Sequence, residues 1–133
     1  MGPKETVYKK EYALELIRIA EGDLKTVKQL KKLSDYRKEN LCFLAQQSIE
    51  KSLKAVLCWH RIPYSYTHDL NALVAKMPKG VSPPQDYDLG TLNDYATVRR
   101  YEEGPYELRD EDIDEVDKVT DSIFKWASKE VGK

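Results

Sequence analysis

The sequence predicts an all-α protein, an up-and-down bundle of four main helices plus a short fifth. Three observations predict it. Apolar residues recur at spacings of three and four through three long stretches, which is the stripe of an amphipathic helix. The stretch from Arg37 to His60 holds neither Gly nor Pro. No segment shows the period-two alternation of a half-buried strand.

In the first stretch, residues 8 to 32, the stripe is Ala13, Leu16, Ile17, Ala20, Leu24, Val27 and Leu30. Ser34 or Asp35 is placed to cap the next helix, because a side-chain oxygen there can accept an unpaired backbone N–H. From Arg37 to His60 the stripe continues through Leu41, Leu44, Ala45, Ile49, Ser52, Leu53, Val56 and Leu57, and the helix ends before Pro63. Thr67 is an N-cap for a short helix over Asp69 to Lys76, whose first-turn acid suits the helix dipole. PKGVSPPQ, residues 78–85, is a loop by its Pro and Gly content. Leu89 to Arg100 reads as the fourth helix, broken by EEGPYEL. Glu107, Asp110, Glu111 and Asp112 crowd the start of the last helix, whose buried stripe is Ile113, Val116, Thr120, Ile123, Phe124 and Ala127.

The chain has 133 residues, a length that fits one domain over residues 1–133 with its core at about 10–128. No stretch approaches the roughly 20 apolar residues of a membrane span, and MGPKETVYKKEY lacks a signal-peptide apolar segment. Cys42 and Cys58 share one helix and would lie roughly 24 Å apart, beyond disulfide reach. A cytoplasmic protein is expected.

The net charge of −1 hides an asymmetry. Residues 1–61 carry 13 basic and 8 acidic groups, residues 62–133 carry 9 and 15. The basic excess gathers in Lys25, Lys28, Lys31, Lys32, Arg37 and Lys38, the acidic excess between Asp110 and Asp121. Neither amounts to the large surplus of a protein that binds nucleic acid by charge alone, and DNA is not expected as a ligand.

Phosphate-cradling Gly-rich loops, GxSxG, HExxH and paired CxxC are missing from the sequence. Two His and two Cys, with Cys58 and His60 on different helix faces, give no metal-ligand set, and no cofactor is expected. Three polar constellations remain. In LCFLAQQSIEKSLKAVL, residues 41–57, Gln46, Gln47, Glu50, Lys51 and Lys54 share a helix with a strong apolar stripe. The pairs Gln47–Lys51 and Glu50–Lys54 have i,i+4 spacing, the pattern of an exposed, salt-bridged face. YTHDL, residues 66–70, places His68 beside a capping Thr, as a local hydrogen-bonding group or a functional imidazole. YATVRRY, residues 95–101, ends in Arg99, Arg100 and Tyr101, which either complement a helix C-terminus or hold a phosphate bidentately.

The order AQQSIEKSLKAVL, THDLNAL, RRY and a last helix near IFKW resembles the HEPN domains, a family of nucleotide-binding helical modules. IAEGDLKTVKQL resembles the family's first helix, and the likeness covers about residues 10–128. One departure is the family's Arg-Tyr-Pro, which here reads Arg100-Tyr101-Glu102. The resemblance implies a helical bundle that forms homodimers, with a cleft at or near the interface. It implies one of two activities: a nucleotide-binding module, partnered with a small nucleotidyltransferase protein in toxin–antitoxin or defence-like systems, or a metal-independent ribonuclease.

Under the first, leading reading, Lys51, Lys54 and Arg100, with Arg99, meet the phosphates of a nucleotide or RNA, Tyr101 offers a ring to the base, His68 adds a hydrogen bond, and Gln47 belongs to the same nucleotide-binding set. Under the second, Arg61 and His68, with six residues between them, meet the Arg-to-His spacing of the ribonuclease branch. His68 would then act as general base or acid on the ribose 2′-hydroxyl, and Arg61 would stabilise the phosphorane. A third reading is a protein-interaction or dimerisation domain, in which the complementary basic stretch Lys25–Lys38 and acidic last helix favour self-association or docking to a nucleotidyltransferase partner.

Overall fold

The computed structural model describes residues 4–84, 86–97 and 107–133. In chain order it contains β1 (Glu5–Thr6), α1 (Tyr12–Lys31), α2 (Lys38–Trp59), β2 (Tyr64–Ser65), α3 (Leu70–Val74), a 3₁₀ helix (Leu89–Ala96) and α4 (Asp110–Glu130). The helical class expected from the sequence is the class observed. A two-stranded antiparallel ribbon is added to it, pairing Glu5 with Ser65 and Thr6 with Tyr64.

Helix α2 is the axis of the molecule, packed by α1, α3, α4 and the 3₁₀ helix. Its direction relative to α1 follows from two bonds. Cys58 Sγ donates to the Lys9 carbonyl and Ser48 Oγ to that of Ala20, so α1 runs up as α2 runs down. Lys28 pairs with Asp117 and Asp121 and Lys31 with Asp114 and Asp117, so α4 is antiparallel to α1 as well. The main core gathers Leu41, Ala45, Ile49, Leu53 and Leu57 of α2 with Val27, Tyr64, Leu70, Leu73, Leu92, Ile113, Val116 and Ile123. A second cluster joins Ala13, Leu16, Ala55, Val56, Cys58, Ala127 and Val131 at the other end.

Several boundaries differ from expectation, each for a local reason. Helix α1 begins at Tyr12 rather than near residue 8, because the chain leaving β1 is held by Tyr8, whose ring stacks on Tyr64 at 4.8 Å. Neither Ser34 nor Asp35 caps α2. Tyr36 packs against the core and the helix starts after it, with Arg37 in an extended conformation at the N-cap. Asp69, not Thr67, caps α3: its Oδ1 accepts from the N–H groups of Asn71 and Ala72, while Thr67 Oγ1 accepts from the Asp69 N–H. The fourth helix is 3₁₀ and not α. Leu89, Leu92 and Tyr95 stand three apart, so the 3.0-residue turn stacks all three on one face against the core. Residues 98–100 of the expected helix lie outside the described residues. In α4, Val119 is buried where Phe124 is only half-buried, and Asp112 Oδ2 accepts from the Arg109 N–H at 2.8 Å to close the first turn.

The expected attraction between basic and acidic segments is satisfied inside the chain. Lys28 and Lys31 of α1 lie 3.0–3.3 Å from Asp114, Asp117 and Asp121 of α4, and Lys38 lies 3.9 Å from Asp110. No helix among the described residues is long and apolar enough to cross a membrane.

Candidate functional site

Between Leu41 and Cys58 helix α2 is surrounded on nearly every side, so its polar residues must find partners within the protein. Gln46, Glu50 and Lys54, one turn apart, are buried rather than forming the exposed face expected of their spacing. The centre is Glu50, 1% exposed. Its Oε1 accepts from His68 Nδ1 at 2.7 Å and from Gln46 Nε2 at 3.1 Å. Its Oε2 accepts from Lys54 Nζ at 3.0 Å and Lys51 Nζ at 3.4 Å. The Gln46 amide also donates to the His68 carbonyl at 3.0 Å, and Gln47 bridges Gln46 Oε1 to Lys51 Nζ. Lys51 therefore touches both Gln47 and Glu50.

Burial alone pushes the Glu50 carboxyl up, but Lys54, the bond from His68 and Lys51 outweigh it and hold the group below the ordinary carboxylate range. An ionised Glu50 only accepts, so the proton between the pair sits on His68 Nδ1. Asp23, on α1, is pushed up by burial, with Lys51 opposing the shift. The site thus combines two acids, two ammoniums and an imidazole. Lys54 is 8% exposed, and its ammonium lies 5.9 Å from the ring centre of Tyr64 and 5.5 Å from that of Tyr66. The Tyr66 ring meets the His68 imidazole edge-on at 5.3 Å.

The chain after α2 brings His68 back to Glu50. Helix α2 ends in a Schellman turn: the Arg61 N–H donates to the Cys58 carbonyl and the Ile62 N–H to that of Leu57. Arg61 takes the left-handed position there, φ 59°, without being glycine. Pairing of β2 with β1 then turns the segment across the bundle. The α3 cap locks it, since Asn93 Nδ2 donates to Asp69 Oδ1 and Asn93 Oδ1 accepts from the Leu70 N–H.

The structure therefore brings together four of the expected residues, Gln47, Lys51, Lys54 and His68. Arg61 is engaged elsewhere: its side chain is exposed and its Nη1 donates to the Tyr8 carbonyl at 3.0 Å. Arg99, Arg100 and Tyr101 lie outside the described residues. Sequence reasoning left out Glu50 as the hub, Gln46, Asp23 and the Tyr64–Tyr66 pair. The available signal was Glu50 standing four residues from both Gln46 and Lys54. Away from this site, a cavity of about 400 Å³ between the 3₁₀ helix and α4 is lined by Tyr87, Tyr95, Leu108, Asp112 and Glu115. Cys42 at its base is pushed up to about 12 by burial, which makes it an inert thiol. Among the described residues no group of His, Cys, Asp and Glu could hold a metal ion.

A helical bundle whose central helix carries a buried, fully partnered polar hub, reached by a histidine from the following loop, defines the class: a small helical module with a charged site. The sequence matches the model of the HEPN domain over residues 13–131, and the chain belongs to the HEPN domain family. No curated protein and no solved structure matches it. Membership makes the protein a nucleotide- or RNA-related module.

Proposed function

We propose that this HEPN domain binds the phosphate of a nucleotide or RNA at the Lys51–Lys54–His68 edge of the Glu50 hub. The observation that carries the reading is the shared carboxylate. Glu50 holds two ammoniums and one imidazole within 2.7–3.4 Å of its oxygens, so the cationic donors are positioned before a ligand arrives. Lys51 is the more open of the two ammoniums and the one able to turn to an anion; Lys54 works from beneath it. Arg99, Arg100 and Tyr101 complete the site in this reading, as the guanidinium fork suits phosphate and the ring suits a base. The family resemblance further supports a cytoplasmic homodimer working with a nucleotidyltransferase partner in a toxin–antitoxin or defence-like system.

The test is a metal-free calorimetric titration of ATP and GTP into the purified protein and its Lys51→Met and Arg100→Ala variants. Micromolar binding by the wild type, weakened at least several-fold in both variants with helix content unchanged, is the expected result. Affinity untouched by both substitutions would sink the assignment.

One observation favours a ribonuclease as the second reading: the 2.7 Å bond that orients His68 through Nδ1 leaves Nε2 to exchange a proton with a ribose hydroxyl. Arg61 is less suited, since it would first have to release the Tyr8 carbonyl. Metal-free cleavage of RNA to a cyclic phosphate, abolished by His68→Ala, is what this reading requires.

A further inference from the structure

Tyr66 stands out among the large side chains. It is 80% exposed, where Tyr64, two residues earlier, is 3% exposed and packed in the core. An aromatic ring left in water adds little to folding, yet this one is held in place from two sides. The Lys54 ammonium lies 5.5 Å from its ring centre, and the His68 imidazole meets it edge-on at 5.3 Å. Both neighbours are themselves bonded to Glu50, so the ring is referenced to the charged hub. With 80% of its surface open, at least one ring face is uncovered. A flat, uncovered π-face beside cationic donors is the combination that binds a base and its phosphate together.

We infer that Tyr66 is the stacking platform for a nucleobase, placed so that the phosphate of the same nucleotide reaches Lys51 and His68. The inference rests on the nucleotide-binding reading and adds to it the residue that would take the base. It also places a platform on the loop after α2, besides the ring offered by Tyr101. The ligand chemistry is a base joined to a phosphate, supplied by a free nucleotide or by single-stranded RNA.

The experiment is titration of ATP, an eight-residue oligoadenylate RNA and base-free ribose 5-phosphate into wild type, Tyr66→Ala and Tyr66→Phe. Tyr66 is exposed, so both variants are expected to melt with the wild type. Loss of one stacked base corresponds to about 5- to 150-fold weaker binding, expected for Tyr66→Ala with ATP or RNA. The Phe variant should stay within about twofold, because it keeps the ring. Ribose 5-phosphate should bind all three proteins equally. A loss confined to RNA identifies the polymer as the source of the base, and a loss for both ligands identifies the free nucleotide as sufficient. Wild-type binding that Tyr66→Ala leaves unchanged overturns the platform while sparing the nucleotide site. A change in sedimentation without a change in base affinity also overturns it, assigning Tyr66 to a protein interface. Failure of the wild type to bind either ligand overturns both readings.

Discussion

Two groups of ion pairs hold this bundle, and they are built on opposite plans. Between α1 and α4, Lys28 and Lys31 alternate with Asp114, Asp117 and Asp121 in a ladder whose lysines stay a third or more exposed. On α2, one carboxylate at 1% exposure serves Lys51, Lys54, His68 and Gln46 together. The ladder's lysines keep much of their hydration, so each pair contributes little and losing one costs little. Glu50 has given its water up, so its charge depends on the partners that surround it. One arrangement clamps two helices; the other gathers donors of α2 and the loop after it around one carboxylate. The difference is one of burial: the same residue types make a hydrated clamp in one place and a desolvated cluster in the other.

The largest expected effect comes from breaking the hub. Glu50→Ala leaves two ammoniums without their common counter-charge and should cost about 3–5 kcal/mol in chemical denaturation. A loss below about 1 kcal/mol would show that the hub is no better desolvated than the ladder. The double variant Glu50→Met, Lys54→Met should be more stable than Glu50→Ala, because an apolar pair replaces an unpaired charge.

Acid should act on both regions with the same sign. Burial raises the Asp117 and Asp121 carboxyls, but their lysine bonds outweigh it and the net shift is downward, as it is for Glu50. A depressed carboxylate contributes stability above its unfolded value, near pH 4, and loses it as pH falls through the folded value. Thermal stability should therefore hold from neutrality to about pH 5 and fall below about pH 4. Glu50→Gln should flatten that fall, and an unaltered acid limb would remove Glu50 from the account.

The ladder should prove weak and salt-sensitive. Asp117→Asn is expected to cost about 1 kcal/mol at low salt and less in 1 M salt, where screening shortens to about 3 Å. The penalty of Glu50→Ala should change little over the same range. Equal salt dependence in the two variants would erase the contrast. The smallest effect expected lies outside both regions. Arg61→Gly removes the left-handed strain at the end of α2 and should stabilise the fold by about 0.5–1 kcal/mol. It should also leave nucleotide affinity unchanged, and a loss of RNA cleavage in this variant would instead make Arg61 catalytic.

The long helices were legible because each writes its stripe in its own sequence. Ala13, Leu16, Ala20, Leu24 and Val27 of α1 are buried as their spacing requires, and so are Ile113, Val116, Thr120 and Ile123 of α4. The fourth helix was legible in its place but not in its type, since Leu89 and Leu92, three apart, fit an α-helical period nearly as well as a three-residue turn. The candidate site was half legible. Residue type and order single out Lys51, Lys54 and His68, which the fold brings together, whereas spacing alone describes the hub that joins them as a solvated face.

The sequence by itself determined where α1, α2 and α4 lie and which stripe of each turns inward, because helical periodicity is a property of neighbouring residues. Only the tertiary structure decided that the polar side of α2 is also covered. Burial depends on what packs from every direction, and α2 lies at the centre of α1, α3, α4 and the 3₁₀ helix. It also decided that Glu50 meets His68, eighteen residues on, through a Schellman turn, a two-stranded ribbon and a capped helix that no local pattern foretells.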